Sequence, residues 1–244
     1  AGDPDLDGDG EDYTTDVDDQ DPDSTRMDMG AFYFDQIEFP ITYGCMDPGA
    51  TNYDSLAIID DGSCYNDGPV FHISSDGNDF FGIGTEQNPY LTIQHGMDVS
   101  SDSDTVLVQS GTYVENINYN GKNIVVKGEN RETTIIDGNG VAAVVQIING
   151  ESVVLDGFTI TNGFNPNFTY LAGGINVVNS FSVIKNVIVE NNTGEDGSGI
   201  SIESSEAYIS NAIVRNNNGA QASGICSRFS NIYIDSTEVY NNSG

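Results

Sequence analysis

From Gly174 onward, apolar and polar positions alternate in short runs: Ile175 and Val177, Val187 and Val189, Ile200 and Ile202, each broken by glycine or asparagine. Alternation of period two predicts half-buried strands of about three to five residues, because a helix would place its apolar residues three and four apart. The pattern repeats. Gly174-Ile175, Gly199-Ile200 and Gly224-Ile225 recur every 25 residues, and Val183-Ile184, Tyr208-Ile209 and Tyr233-Ile234 keep the same step. So do Val189, Val214 and Val239, and the unit closes each time on Asn-Asn-X-Gly, at 191–194, 216–219 and 241–244. Strands this short bury an apolar face only by stacking coil on coil, so the pattern predicts a β-solenoid with coils of about 25 residues. Asn191, Asn216 and Asn241, and beside them Asn192, Asn217 and Asn242, then fall above one another as an expected asparagine ladder.

Upstream the step lengthens. Val154 to Gly163 matches the stretch beginning at Val183 with an offset of 29, and the extra residues fall at 164–171, a segment carrying Phe164, Phe168 and Tyr170. A loop leaving a rigid scaffold is a natural place for ligand contacts, and it can equally fold down over an exposed edge. Before the first coils, Leu91, Ile93, Met97 and Val99 are spaced as in a short amphipathic helix, expected to cap the N-terminal end of the solenoid. The other end shows no cap, since the sequence stops at Gly244 on a finished turn motif; with no initiator Met at Ala1, this suggests an excerpt of a longer chain.

The residues also carry resemblances. The series Phe71-His72-Ile73-Ser74, Asn88-Pro89-Tyr90-Leu91-Thr92-Ile93-Gln94, Gly111-Thr112-Tyr113-Val114 and Thr134-Ile135-Ile136-Asp137-Gly138 resembles the opening of right-handed parallel β-helix proteins of the pectin-lyase-like superfamily. That likeness implies the hand of the coil. The segment Gly44-Cys45-Met46-Asp47-Pro48-Gly49-Ala50-Thr51-Asn52-Tyr53, ending at Asp60-Asp61-Gly62-Ser63-Cys64, resembles a short Cys-bounded repeat of large surface proteins of Bacteroidetes type. Residues 25–32 are similar to the way bacterial β-helix domains end. Three segments follow: an Asp-rich stretch with the tail of a preceding module over 1–40, the Cys-bounded repeat over 41–66, and the β-helix over 67–244.

Charge narrows the partners. Thirty-eight acids against seven bases give a net charge of −31, which repels nucleic acid and anionic lipid, and no apolar run is long enough to span a bilayer. Residues 1–40 hold fourteen of the acids and one base, Arg26. Asp3, Asp5, Asp7, Asp9, Asp12 and Asp16 alternate with glycines at Gly8 and Gly10, an oxygen-only donor set suited to calcium; Asp18, Asp19, Asp21 and Asp23 can complete a second site. The pattern is similar to EF-hand-like, dockerin and thrombospondin type 3 loops, except that Asp16 stands where an EF-hand has Glu. A solvated acidic linker is the plain alternative. Cys45 and Cys64 read as a disulfide, and hence an oxidising compartment, with two reduced thiols in a cytosolic protein as the plain alternative; Cys226 is left over and expected to point outward.

No catalytic set stands out. The repeat register brings Glu190, Arg215 and Tyr240 into one column and Lys185, Ser210 and Asp235 into another, giving Lys185, Arg215 and Tyr240 as candidate ligand contacts beside Phe164, Phe168 and Tyr170; surface salt bridging is the commoner use of such columns. His72 and His95 read as structural. The sequence therefore points to a secreted or cell-surface, calcium-binding recognition module contacting polysaccharide, a surface glycan or another protein. The alternatives are a polysaccharide lyase or glycoside hydrolase whose active residues lie in further coils or on the 164–171 loop, and a structural module assembled in tandem or end to end in a surface fibre.

Overall fold

The computed structural model describes residues 42–45, 54–61, 68–165, 171–196, 198–221 and 224–244. The chain divides into two units, Ala1–Pro40 and Ile41–Gly244; the first lies outside the described residues, and segments 41–66 and 67–244 fall in the same unit.

Among its described residues the second unit is all-β apart from one short helix. Its strands form three parallel sheets of seven, six and five strands, each coil giving one strand to each sheet in turn, so five full coils are present. The fold is the parallel β-helix that the repeat predicts. Thr105–Val108, Gly111–Val114 and Ile117–Asn118 make the first full coil; Glu206–Ser210, Ile213–Arg215 and Ile225–Arg228 make the fifth. Inward side chains stack as three aliphatic columns. Val106, Val126, Leu155, Ile184 and Ile209 form the first; Ile136, Ile160, Val189 and Val214 the second; Ile147, Val177 and Ile202 the third, all buried. Burying each such side chain contributes about 1.5–3 kcal/mol, and a one-residue slip would turn a whole column outward, which fixes the register.

Register confirms the 25-residue step for the last coils, where Ile184 pairs with Ile209 and Ile209 with Ile234. Earlier coils differ. Leu155 lies 29 residues before Ile184 and Val126 another 29 before Leu155, while Val106 precedes Val126 by only 20.

Each regular coil turns three corners, and each corner carries a residue in the left-handed conformation. Asn186, Asn211 and Ser236 mark the first, Asn191, Asn216 and Asn241 the second, and Asn179, Ser204 and Phe229 the third, all with φ between 47° and 57°. Asparagine tolerates this region better than other side chains, which explains its abundance. Phe229 breaks the pattern. Gly150, at φ +83°, precedes Asn179 in the same column. A phenylalanine there costs roughly 1–2 kcal/mol, and its ring is 91% exposed, so no burial offsets the strain.

The twin asparagines divide their labour. Asn192, Asn217 and Asn242 form the ladder: Asn192 Nδ2 donates to Asn217 Oδ1 (3.0 Å) and Asn217 Nδ2 to Asn242 Oδ1 (2.9 Å). Asn191, Asn216 and Asn241 are not rungs; they hold the left-handed turn and face solvent. A second, shorter ladder runs along the first corner, from Asn211 Nδ2 to Asn186 Oδ1 and from Asn186 Nδ2 to Asp156 Oδ1, both 2.7 Å. Where the chain enters the third sheet, Gly174 leaves no room for a side chain, since a Cβ would stand 2.2 Å from the Gly199 carbonyl oxygen.

The helix spans Ile93–Val99, buries Ile93, Gly96 and Met97, and packs on the strands Val70–Ile73, Thr105–Val108 and Ile117–Asn118. Leu91 and Val99, expected on its buried side, are exposed; Leu91 precedes the helix and Val99 ends it. Carboxylates satisfy its first N–H groups. Asp79 accepts from the Leu91 and Thr92 N–H groups and the Thr92 hydroxyl, and Glu115 accepts from the Ile93 and Gln94 N–H groups. At the other end Lys122 Nζ donates to the carbonyls of Met97, Asp98 and Ser100 at 2.6–2.9 Å. His95 packs edge-on against Tyr90 (4.6 Å).

Cys226 keeps the predicted register, opposite Ser201 and, one coil back, Asn176, yet it is buried rather than exposed. The reason is visible upstream. The connection from the second to the third sheet folds back over the third sheet's outer face, where Asn176 exchanges hydrogen bonds with the Ala172 backbone, and the strands Thr193–Asp196 and Asn218–Gln221 pair with each other. Cys45 is buried and Cys64 lies outside the described residues, so their pairing is carried forward as a proposal.

Candidate functional site

With the third sheet's outer face partly covered, two concave surfaces among the described residues are open to a ligand. The first is a groove of about 440 Å³ along the second sheet and its following corner, lined by Asp137, Asn139, Gly140, Asn162, Gly163, Phe164, Asn191 and Thr193. Register continues it into an outward column, since Asp137 pairs with Thr161, Thr161 with Glu190, Glu190 with Arg215 and Arg215 with Tyr240. Its polar groups are largely engaged with one another. Arg215 Nε lies 2.7 Å from Glu190 Oε2, and Arg215 also donates to the Tyr240 hydroxyl at 3.1 Å. Those two hydrogen bonds and the Glu190 charge hold the guanidinium above its ordinary pKa. Asp137 accepts from the Asn139 N–H (2.8 Å) and from Asn162 Nδ2 (3.0 Å).

The second surface is a cleft of about 680 Å³ over the first sheet, between its last coils and the segment preceding the solenoid. Val183, Lys185, Tyr208, Ser210, Tyr233 and Asp235 line it from the sheet, and Tyr43 and Asp61 from the other side. Tyr208 and Tyr233 stack face to face, 4.5 Å apart and 11° from parallel; Phe181 and Tyr43 lie against Tyr208 at 5.8 and 6.5 Å. Parallel strands in register place these rings one coil apart, which is the stacking distance of aromatic rings. The Tyr208 hydroxyl donates to Glu206, and partial desolvation together with that carboxylate pushes its pKa up to about 12, so it stays protonated at neutral pH. Among the described residues Lys185 makes no ion pair, although Asp156 and Ser210 flank it in register.

The candidates that the sequence grouped as one ligand face therefore separate. Arg215 and Tyr240 stand on the second sheet, Phe164 lies past its following corner, bridged to Thr193, and Lys185 stands on the first sheet, among tyrosines. Phe168, Tyr170, Asp3, Asp5, Asp7, Asp9, Asp12, Asp16, Asp18, Asp19, Asp21 and Asp23 lie outside the described residues. The sequence reading missed the aromatic cleft, although Tyr208 and Tyr233 in one register were its signal; Tyr43 lies too far away in sequence for the repeat to connect it. No group of three or more His, Cys, Asp or Glu side chains able to hold a metal occurs among the described residues, and none of their helices is long and apolar enough to cross a membrane.

No family model matches the chain. An uncharacterized protein, YwoF of Bacillus subtilis (strain 168), is 26% identical over 119 residues, which is 44% of this chain and 24% of that protein. The chain thus spans about a quarter of the curated relative's length. Among solved structures, pectin methylesterase PemA from Erwinia chrysanthemi is similar at a TM-score of 0.44 and 14% identity, over 65% of this chain and 53% of that one. A pectin methylesterase in complex with a hexasaccharide follows at 0.41 and 13%, over 71% and 67%. A rhamnogalacturonan lyase is similar at 0.40 and 16%, over 72% and 52%. At such scores these likenesses carry no argument about activity, and the fold rests on the strand pairing of the chain itself.

Proposed function

We propose that this chain is a recognition module of a secreted or cell-surface protein, that it binds polysaccharide, and that it does so without catalysis by the residues described. One observation supports the reading most: the parallel register fixes exposed hydroxyl, amide, carboxylate and aromatic groups at regular intervals along the outer faces. A rigid array of such groups suits a polymer that offers hydroxyls and C–H faces at regular intervals of its own, because neither partner loses much freedom on contact. In this reading the Asp-rich segment binds calcium through Asp3, Asp5, Asp7, Asp9, Asp12 and Asp16, with a second ion among Asp18, Asp19, Asp21 and Asp23, and the Cys45–Cys64 disulfide closes the short module. Tandem assembly with further solenoid modules belongs to the same proposal.

The test is retardation of the purified protein in native gels containing soluble polysaccharides, run with calcium and with chelator, together with an ultraviolet assay for unsaturated sugar products. Retardation without product supports the proposal. Cleavage that yields unsaturated ends would replace it with a lyase. Calcium binding is read separately by titration calorimetry, and a chain with no saturable calcium uptake loses that part of the reading.

A further inference from the structure

We infer that the Asn149-Gly150 pair is the site of spontaneous backbone modification in this protein, deamidation to aspartate and isoaspartate, and that the coils close its four other Asn-Gly pairs to the same reaction.

An Asn-Gly pair is prone to this chemistry because glycine puts no side chain beside its own nitrogen. The Gly nitrogen attacks Asn Cγ, the side-chain amide leaves as ammonia with the proton of the Gly N–H, and a cyclic imide forms. Water then opens the imide at either carbonyl, giving aspartate or isoaspartate. Two things block the first step. One is a hydrogen bond that holds the Gly N–H toward another acceptor; the other is a left-handed Asn, which sets its carbonyl oxygen beside Cβ and so turns the following nitrogen away from Cγ.

The pairs begin at Asn120, Asn139, Asn149, Asn162 and Asn218. Asn120, Asn139 and Asn162 are left-handed, at φ of 52°, 52° and 56°. Their glycines are also engaged: Gly121 N–H donates to Glu151 Oε1 (3.0 Å), Gly140 N–H to the Asn162 carbonyl (2.7 Å) and Gly163 N–H to Asn192 Oδ1 (2.8 Å). Asn218 stands in the strand Asn218–Gln221, where its own N–H and that of Gly219 donate to the carbonyls of Asn192 (2.9 Å) and Ser243 (2.8 Å).

Asn149 is held least. It does not take the left-handed conformation, which falls instead on Gly150, and both residues are exposed. The Gly150 N–H makes the longest of the five bonds, 3.2 Å, and its acceptor is a neutral hydroxyl, Ser180 Oγ. Modification here reaches further than one turn. Glu151, next in sequence and buried, accepts from the Asn149 N–H, from Gly121 on the preceding coil and from the Ser180 hydroxyl on the following one. Isoaspartate at 149 lengthens the backbone beside the carboxylate that ties three successive corners together.

The test is to hold the full chain warm at mildly alkaline pH, natively and in urea, and to follow each Asn-Gly peptide by mass spectrometry. The mass gain from amide to acid separates deamidation from isomerisation at Asp-Gly. In the native chain Asn149 is expected to react at least about tenfold faster than any other pair, whereas in urea the five rates converge. Ser180→Ala, which removes the acceptor of the Gly150 N–H, is expected to speed Asn149 severalfold and leave Asn139 and Asn162 unchanged. Equal rates at all five pairs in the native chain, another pair outrunning Asn149, or a native chain left intact while the chain in urea reacts overturns the assignment. An unchanged Asn149 rate in Ser180→Ala overturns the hydrogen bond as its restraint.

Discussion

Asn217 has no contact with solvent and four obligations to meet. Its amide donates to the Val189 carbonyl and to Asn242 Oδ1, while its own oxygen accepts from the Asn192 N–H and Nδ2. Truncation leaves several buried partners unpaired at about 1–3 kcal/mol each, so Asn217→Ala is expected to lower stability by about 3 kcal/mol or more in urea unfolding. Its neighbour Asn216, exposed and at φ +56°, asks only for a residue that accepts that turn; Asn216→Gly changes the midpoint little. The sequence shows both asparagines in each of the last three coils, but periodicity cannot say which of two adjacent amides turns inward. That depends on the left-handed turn at the first, which aims the second at the core. Ser182 makes the opposite case: its hydroxyl faces the interior with no hydrogen-bond partner among the described residues, so Ser182→Ala is expected to raise stability by about 1 kcal/mol in the same assay.

The helix Ile93–Val99 is too short to stand alone and is held at both ends by side chains from elsewhere. Lys122→Met removes three charge-assisted hydrogen bonds from its last carbonyls and is expected to cost about 1–3 kcal/mol, read as faster amide exchange in residues 96–100. Its acidic partners titrate in opposite senses. Burial pushes Asp79 up, but the Thr92 hydroxyl and the Thr92 and Leu91 N–H groups outweigh it and hold the carboxyl below its ordinary 3.8. Its contribution is therefore present above the unfolded value and lost as pH falls through the lower, folded one. Glu115 is shifted up from 4.5, chiefly by burial, with Asp79 adding to the rise, so the folded state holds its proton more tightly than the unfolded chain. Stability contributed by that carboxyl is greatest at low pH and falls as pH rises from 4.5 through the raised value. Urea midpoints followed against pH should accordingly lose part of their decline below 3.8 in Asp79→Asn and part of their decline above 4.5 in Glu115→Gln. Amphipathic spacing made the helix legible in sequence; its caps were not, because Asp79, Glu115 and Lys122 meet it only through the coiling of the chain.

Across the whole molecule, the repeat made the fold and register legible, since identical spacing leaves stacked coils as the one way to bury those strands. The candidate surfaces were legible only in part. Columns such as Glu190, Arg215 and Tyr240 follow from the 25-residue step, but which outer face stays open depends on where connections fold back, and that is invisible to periodicity. A net charge of −31 on one chain also implies self-repulsion, so the melting temperature is expected to rise as sodium chloride is increased from about 0.05 to 0.5 M, where the screening length shortens severalfold. The coils differ in length in a particular way. From the first sheet to the second the step is the same in the later coils, Leu155 to Ile160 and again Ile184 to Val189, and longer from Val126 to Ile136, whereas from the second to the third it varies most, from Tyr113 to Ile117 in one coil and from Ile160 to Ile175 in another. The side between the second and third sheets therefore gains or loses the most residues without shifting a rung. Insertions and deletions among descendants of this sequence should gather on that side, and it is there that a foreign peptide could be displayed while the scaffold stays in register.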